Sequence, residues 1–144
     1  MGTVENYMKV EIPAISENER LARMLISSFL LAANPTVEEL EDIKTAVSEA
    51  VTNAVIHGYE DKGGNLELTF ERKEREIFIQ VTDFGVGIAD VKKAMEPLFT
   101  TKPEMERSGM GFTFMEAFMD EVRVSSVLKK GTVVHMKKKL QGEG

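Results

Sequence analysis

Residues 81–88 read V-T-D-F-G-V-G-I, an apolar and polar alternation that runs straight into an aspartate and two glycines. Just upstream, L-E-L-T-F at 66–70 and I-F-I-Q-V at 77–81 repeat with the two-residue period of half-buried strands. The polar stretch between them predicts an antiparallel hairpin. The quoted stretch therefore leaves the second strand of a hairpin as Asp83-x-Gly85-x-Gly87. Taken alone, it reads as a glycine-rich turn with a capping aspartate, because motifs this short recur by chance. Whether it is more than a turn depends on its neighbours in the chain.

Towards the N-terminus, M-K-V-E-I at 8–12 alternates as a strand, and Pro13 suits a strand end or a sheet edge. Ser16 with Glu19 has the spacing of a capping box and predicts a helix through Leu21, Leu25, Phe29 and Ala32, stopped by Asn34-Pro35. Thr36 with Glu39 repeats the box. It opens the longest predicted element, with Leu40, Ile43, Val47, Ala50, Val51 and Ala54 at helical spacing as far as Gly58. Beyond the quoted motif, residues 84–111 are rich in Gly, Pro, Thr and Met, with one short helix expected around Val91 to Met95. So long an irregular segment in a compact domain points to a functional lid or to disorder. F-T-F-M-E-A-F-M at 112–119 then predicts a helix, and V-R-V at 122–124 and T-V-V-H-M at 132–136 predict strands turning at Lys130-Gly131. Lys137, Lys138 and Lys139 look like a solvated strand end. This order predicts one α+β domain over 1–144, a two-layer sandwich with a mostly antiparallel mixed sheet and helices on one face.

Composition narrows the function. With 144 residues, 42% hydrophobic and 29% charged, the chain can bury a core and lies far from the disordered class. A net charge of −6 argues against binding a nucleic-acid backbone. There is no cysteine and there are only two histidines, His57 and His135, which excludes disulfides and thiolate metal sites and fits a cytoplasmic protein. No apolar run reaches bilayer length.

Asp83-Phe84-Gly85 spells the magnesium-holding triplet of the familiar protein kinases, but its companions are missing. There is no G-x-G-x-x-G loop, V-A-I-K strand or H-R-D loop, and no P-loop. Other residues point elsewhere. Glu49 and Asn53, four apart on the second helix, share a face away from its apolar stripe. A carboxylate there can accept a proton, and an amide oxygen is a hard ligand suited to Mg²⁺. Taken alone, the pair reads as the solvated face of an amphipathic helix. In R-S-G-M-G-F at 107–112, Gly109 and Gly111 precede a helix, where backbone can approach a phosphate and free N–H groups can receive it. Arg107 beside them could meet a terminal phosphate with its planar fork. Gly131-Thr132, in isolation, is a hairpin turn.

Together and in this order, the E-x-x-x-N helix, D-x-G-x-G, a lid ending in G-x-G and a final G-T resemble the ATP-binding fold shared by DNA gyrase, Hsp90, MutL and histidine kinases, over roughly residues 36–137. Within that group, S-E-A-V-T-N-A-V-I-H-G-Y at 48–59, P-L-F-T-T-K-P-E at 97–104, E-R-S-G-M-G-F at 106–112 and M-E-A-F-M-D-E-V at 115–122 resemble the anti-sigma-F family of endospore-forming bacteria. The likeness reaches back to S-E-N-E-R-L-A-R at 16–23 and covers nearly the whole chain. No histidine stands on the first helix, where a sensor histidine kinase would need its phospho-acceptor.

The resemblance implies a serine-specific protein kinase that uses ATP and Mg²⁺, sequesters a sporulation sigma factor and phosphorylates a small anti-anti-sigma partner. It implies that Asn53 holds Mg²⁺, that Asp83 binds the adenine amino group with Thr132 supporting through water, and that Gly85 and Gly87 shape that turn. Glu49 would orient or deprotonate the acceptor serine, and Arg107, with Lys102 as a second candidate, would stabilise charge on the γ-phosphate. A lid over 93–111 would order around ATP, with Thr100, Thr101, Ser108, Gly109, Met110 and Gly111 as nucleotide contacts. Glu19 and Arg23 would face the protein partners, and a homodimer would form through the edge of the N-terminal strand. Two alternatives stay open: the ATP-binding domain of a histidine kinase, and a nucleotide-dependent binding module without kinase activity.

Overall fold

The computed structural model describes residues 4–60, 62–96 and 111–141. Five strands, β1 (Asn6–Pro13), β2 (Asn65–Lys73), β3 (Glu76–Asp83), β4 (Glu121–Val127) and β5 (Gly131–Lys139), form a sheet in the order β1-β2-β3-β5-β4. Each pairing is antiparallel. The helices are α1 (Asn18–Leu30), α2 (Val37–Asn53), the single turn α3 (Val91–Ala94) and α4 (Gly111–Phe118).

The strand register stacks the chain into rows, and alternate rows face the helices. Met8, Phe70, Ile79, Met136 and Val122 share one such row, and Val10, Leu68, Val81, Val134 and Val124 the next. Their apolar side chains meet Ala22, Ile26, Phe29 and Leu30 of α1, Ile43, Ala46, Val47, Ala50 and Val51 of α2, and Met115 of α4 in one core. Phe29 and Phe70 anchor it with tilted rings 5.7 Å apart, a contact between helix and sheet whose loss by truncation to alanine costs about 3–5 kcal/mol. The intervening rows, such as Glu71, Phe78, Lys137 and Glu121, face outward and carry the charge.

Local chemistry sets the element ends. Thr36 accepts from the Glu39 amide at 3.0 Å, and Glu39 returns a carboxylate oxygen to the Thr36 amide at 2.9 Å, so the expected capping box of α2 is present. Asn34 ends the first helical segment in the left-handed region (φ 52°), a conformation that asparagine tolerates.

Three expectations are corrected. Ser16 and Glu19 make no capping box: α1 begins two residues later without a side-chain cap, and the Glu19 carboxylate is drawn across to Ser48 of α2 instead. The buried face of α1 runs through Ala22, Ile26, Phe29 and Leu30, leaving Leu21 and Ala32 exposed. Lys138 is not solvated, since its ammonium donates to Phe118 O at 2.6 Å and lies 3.7 Å from Asp42, tying β5 to α4 and α2.

Candidate functional site

The third inward row begins with Ile12 and Leu66 and then turns polar, with Asp83, Thr132 and Ser126 side by side on β3, β5 and β4. Asp83 is 4% exposed and Thr132 3%. A carboxylate so placed needs donors. Asp83 receives the Gly85 amide at 2.9 Å and a backbone bond from Thr132. Burial nevertheless pushes its carboxyl above the ordinary 3.8, with the two backbone bonds pulling the other way. A carboxylate has about four acceptor positions, so Asp83 keeps capacity for a further donor. Around it, Ser126 Oγ receives the Ile88 amide at 2.7 Å, donates to Gly131 O at 3.0 Å and lies 2.8 Å from Thr132 Oγ1.

The backbone is packed tightly against this carboxylate. A Cβ at Gly58 would fall 2.7 Å from Asp83 Cγ and Oδ2, and one at Gly85 would overlap the Gly58 carbonyl. Gly131, at φ +123°, combines a backbone that side chains avoid with direct contact against Asp83 O. The Asp83 turn thus lies between the end of α2 and the β4–β5 hairpin. Val86 donates to Gly58 O at 2.8 Å, and Lys129 donates to Val86 O at 2.7 Å.

Helix α2 reaches this turn through a widened last turn. From Ala54 to Gly58 the helix takes the i→i+5 spacing, closed by Tyr59 N–H to Ala54 O at 3.0 Å. Asn53 is the residue immediately before it and Glu49 stands one turn earlier, both half-buried. The structure brings Asp83, Gly85, Gly87 and Thr132 into one cluster against the helix that bears Glu49 and Asn53. Gly111 is the first residue of α4. Glu19 and Arg23 stand apart on α1 as an i,i+4 pair with 3.5 Å between Nε and Oε1, and Ser48, next to Glu49, donates to Glu19. Thr100, Thr101, Lys102, Arg107, Ser108, Gly109 and Met110, with most of the expected lid, lie outside the described residues.

Three residues of the cluster escape sequence reasoning. Gly58 carries a visible signal, a glycine at a helix end, but that signal says only where the helix stops. Tyr59 closes the 48–59 stretch that carries the resemblance, yet nothing in that stretch gives it a role, and Ser126 has no motif spacing at all. Among the described residues, no three His, Cys, Asp or Glu side chains gather as a metal site. A divalent ion here would rest on the Asn53 amide oxygen and on nucleotide phosphates, which suits Mg²⁺ with its few protein ligands.

Residues 12–138 match the family model described as "Histidine kinase-like ATPase domain". The fold is shared with two solved structures. The RsbU and RsbW domains of a Mycobacterium tuberculosis protein align with a TM-score of 0.68 at 18% identity, over 96% of this chain and 34% of that one. The histidine kinase domain of a blue-light activated histidine kinase from Erythrobacter litoralis aligns at 0.53 and 22%, over 73% and 46%. The fold and the matched family model define a histidine kinase-like ATPase domain.

Curated relatives are more specific. The chain is 54% identical to the anti-sigma F factor of Clostridium acetobutylicum over 94% of this chain and 95% of that one. It is 54% identical to that of Pasteuria penetrans (94% and 92%) and 48% identical to that of Bacillus licheniformis (95% and 94%). The chain belongs to the anti-sigma F factor family.

Proposed function

We propose that this chain is an ATP-dependent protein serine kinase that also sequesters a sporulation sigma factor, its kinase substrate being a serine of an anti-anti-sigma partner. The observation that carries the reading is the buried Asp83 carboxylate, held by Gly85 and Thr132 with acceptor capacity to spare at the end of the helix bearing Glu49 and Asn53. The name of the relatives, anti-sigma F factor, supports a sigma factor as one partner.

Each residue has a defined task. Asp83 accepts the adenine amine, and its buried position rewards a matching donor more than an exposed carboxylate would. Thr132, Gly85 and Gly87 hold that carboxylate and its turn in place. Asn53 offers its amide oxygen to a magnesium ion, which supplies charge neutralisation on the phosphates when bound. Glu49 takes the proton from the serine hydroxyl as that oxygen attacks the γ-phosphorus, and the bond from phosphorus to the leaving ADP oxygen breaks. Arg107, at the end of the lid sequence with Lys102 as second cation, offsets charge on the transferring group. Thr100, Thr101, Ser108, Gly109, Met110 and Gly111 would contact the phosphates, and the lid would couple the bound nucleotide to the protein partners.

Glu19 and Arg23 present paired charges for the protein partners. The outer edge of β1, at one end of the sheet order, serves a homodimer. No helix among the described residues is long and apolar enough to cross a membrane.

The test is γ-labelled ATP with a purified anti-anti-sigma protein. Label on serine of the partner supports the kinase. Label on a histidine of this chain points to the histidine kinase alternative, and nucleotide-dependent partner binding without transfer points to the binding-module alternative.

A further inference from the structure

The β2–β3 ladder ends at the pair Leu66 and Asp83. Hydrogen-bonded and non-hydrogen-bonded pairs alternate along an antiparallel ladder. Counted from the two-residue turn Glu74–Arg75, Lys73 and Glu76 form a bonded pair, Leu66 and Asp83 a non-bonded one, and Asn65 and Phe84 would be the next bonded pair. They do not bond directly. The Tyr59 hydroxyl stands between them, accepting from the Phe84 amide at 2.7 Å and donating to Asn65 O at 2.7 Å.

The ring that carries this hydroxyl is seated by the backbone. A Cβ at Gly64 would fall 2.6 Å from Tyr59 Cζ, so the ring sits directly against Gly64. Tyr59 also follows the widened turn of α2 and closes it with its own amide. Burial pushes the phenol above its ordinary value, which keeps the hydroxyl a donor at neutral pH.

We propose that Tyr59 is a positioning residue for nucleotide selection: its hydroxyl replaces one ladder bond, parts β2 from β3, and turns Phe84–Gly87 away from the sheet so that the Asp83 carboxylate keeps its acceptor aimed at the base. Without the hydroxyl, Phe84 N–H and Asn65 O can pair directly, and the strand drags the Asp83–Gly85 bond with it. The inference rests on the reading of Asp83 as the adenine-binding group and adds the residue that sets its aim.

The experiment measures dissociation constants of the full chain for ATP and for inosine triphosphate, which lacks the 6-amino donor, in wild type, Tyr59→Phe and Gly64→Ala. Tyr59→Phe keeps the ring, and Gly64→Ala displaces the ring by collision while leaving the hydroxyl. Because both ligands are titrated into the same sample, an unfolded fraction cancels from their ratio. Wild type is expected to prefer ATP, and both variants are expected to lose about threefold to tenfold of that preference, the range set by one hydrogen bond. A Tyr59→Phe variant with the wild-type ratio overturns the role of Tyr59 while leaving the Asp83 reading intact. A wild type with no preference for ATP overturns the Asp83 reading and this proposal with it.

Discussion

Replacing Gly58 by alanine tests whether the tightness around Asp83 matters for binding. Gly58 has no positive φ, so a side chain there meets no left-handed strain, and the first atoms it meets are those of the carboxylate. The added methyl would stand 2.7 Å from Asp83 Cγ and Oδ2 and 2.8 Å from Oδ1, whereas such contacts reach their optimum near 3.5 Å, so the carboxylate must withdraw by about 0.8 Å. A retreat of that size takes the Gly85 bond, now 2.9 Å, towards or past the limit of about 3.2 Å for such bonds. Losing a hydrogen bond to a charged group costs about 1.5–3 kcal/mol. The lower chain entropy of alanine returns about 0.4–1 kcal/mol, which leaves a net loss of roughly 1–2 kcal/mol. Nucleotide affinity should fall by about tenfold or more, because the displaced atoms are the ones that meet the base.

Gly63→Ala is the control, because Gly63 sits at φ +89° and a methyl added there would meet nothing within 4 Å. It should lose about 1–2 kcal/mol from left-handed strain with nucleotide affinity unchanged. Urea unfolding and calorimetric titration of both variants give the comparison. Wild-type nucleotide affinity in Gly58→Ala would refute the reasoning.

Three further outcomes are expected. Glu49→Ala should retain nucleotide affinity within a few-fold while phosphotransfer drops by about a hundredfold or more in a single-turnover assay; transfer near the wild-type rate would remove Glu49 as the base. Asp83→Asn should weaken ATP binding and shift the pH profile of stability. The native Asp83 carboxyl is raised above 3.8, so its contribution to stability is fully present below that value and is lost as pH rises through the native one. The stability difference should therefore move in favour of Asp83→Asn between pH 3 and pH 7, and an opposite slope in urea titrations counts against the burial argument. Thr36→Ala should cost about 1 kcal/mol by removing half of the α2 capping box, read as a lower midpoint in thermal unfolding.

What the sequence reveals and hides follows from the range of the forces involved. The α2 cap was legible because Thr36 and Glu39 satisfy each other within one turn, and the distant Gln141 amide takes the other Glu39 carboxylate oxygen without displacing the cap. The identical spacing at Ser16 and Glu19 failed because Ser48, 29 residues away, offers Glu19 a competing partner. The inward rows of the sheet follow from period-two alternation, whereas the face of α1 depends on which of two adjacent apolar stripes the sheet selects. Asp83, Gly85 and Gly87 stood out as a motif at a strand end. The widened turn after Asn53 did not, because it is fixed by docking of Gly58 O onto Val86, a contact between segments far apart in sequence. Tyr59 and Ser126 act through hydroxyls whose partners only the folded chain brings near.

Backbone amide shifts followed by NMR during titration with magnesium-ATP test the central claim most directly. The account predicts the largest changes at Gly85, Thr132 and the 53–59 end of α2, saturating together. Changes centred on the outward row of Phe78 and Lys137, with Gly85 and Thr132 unmoved, would contradict it.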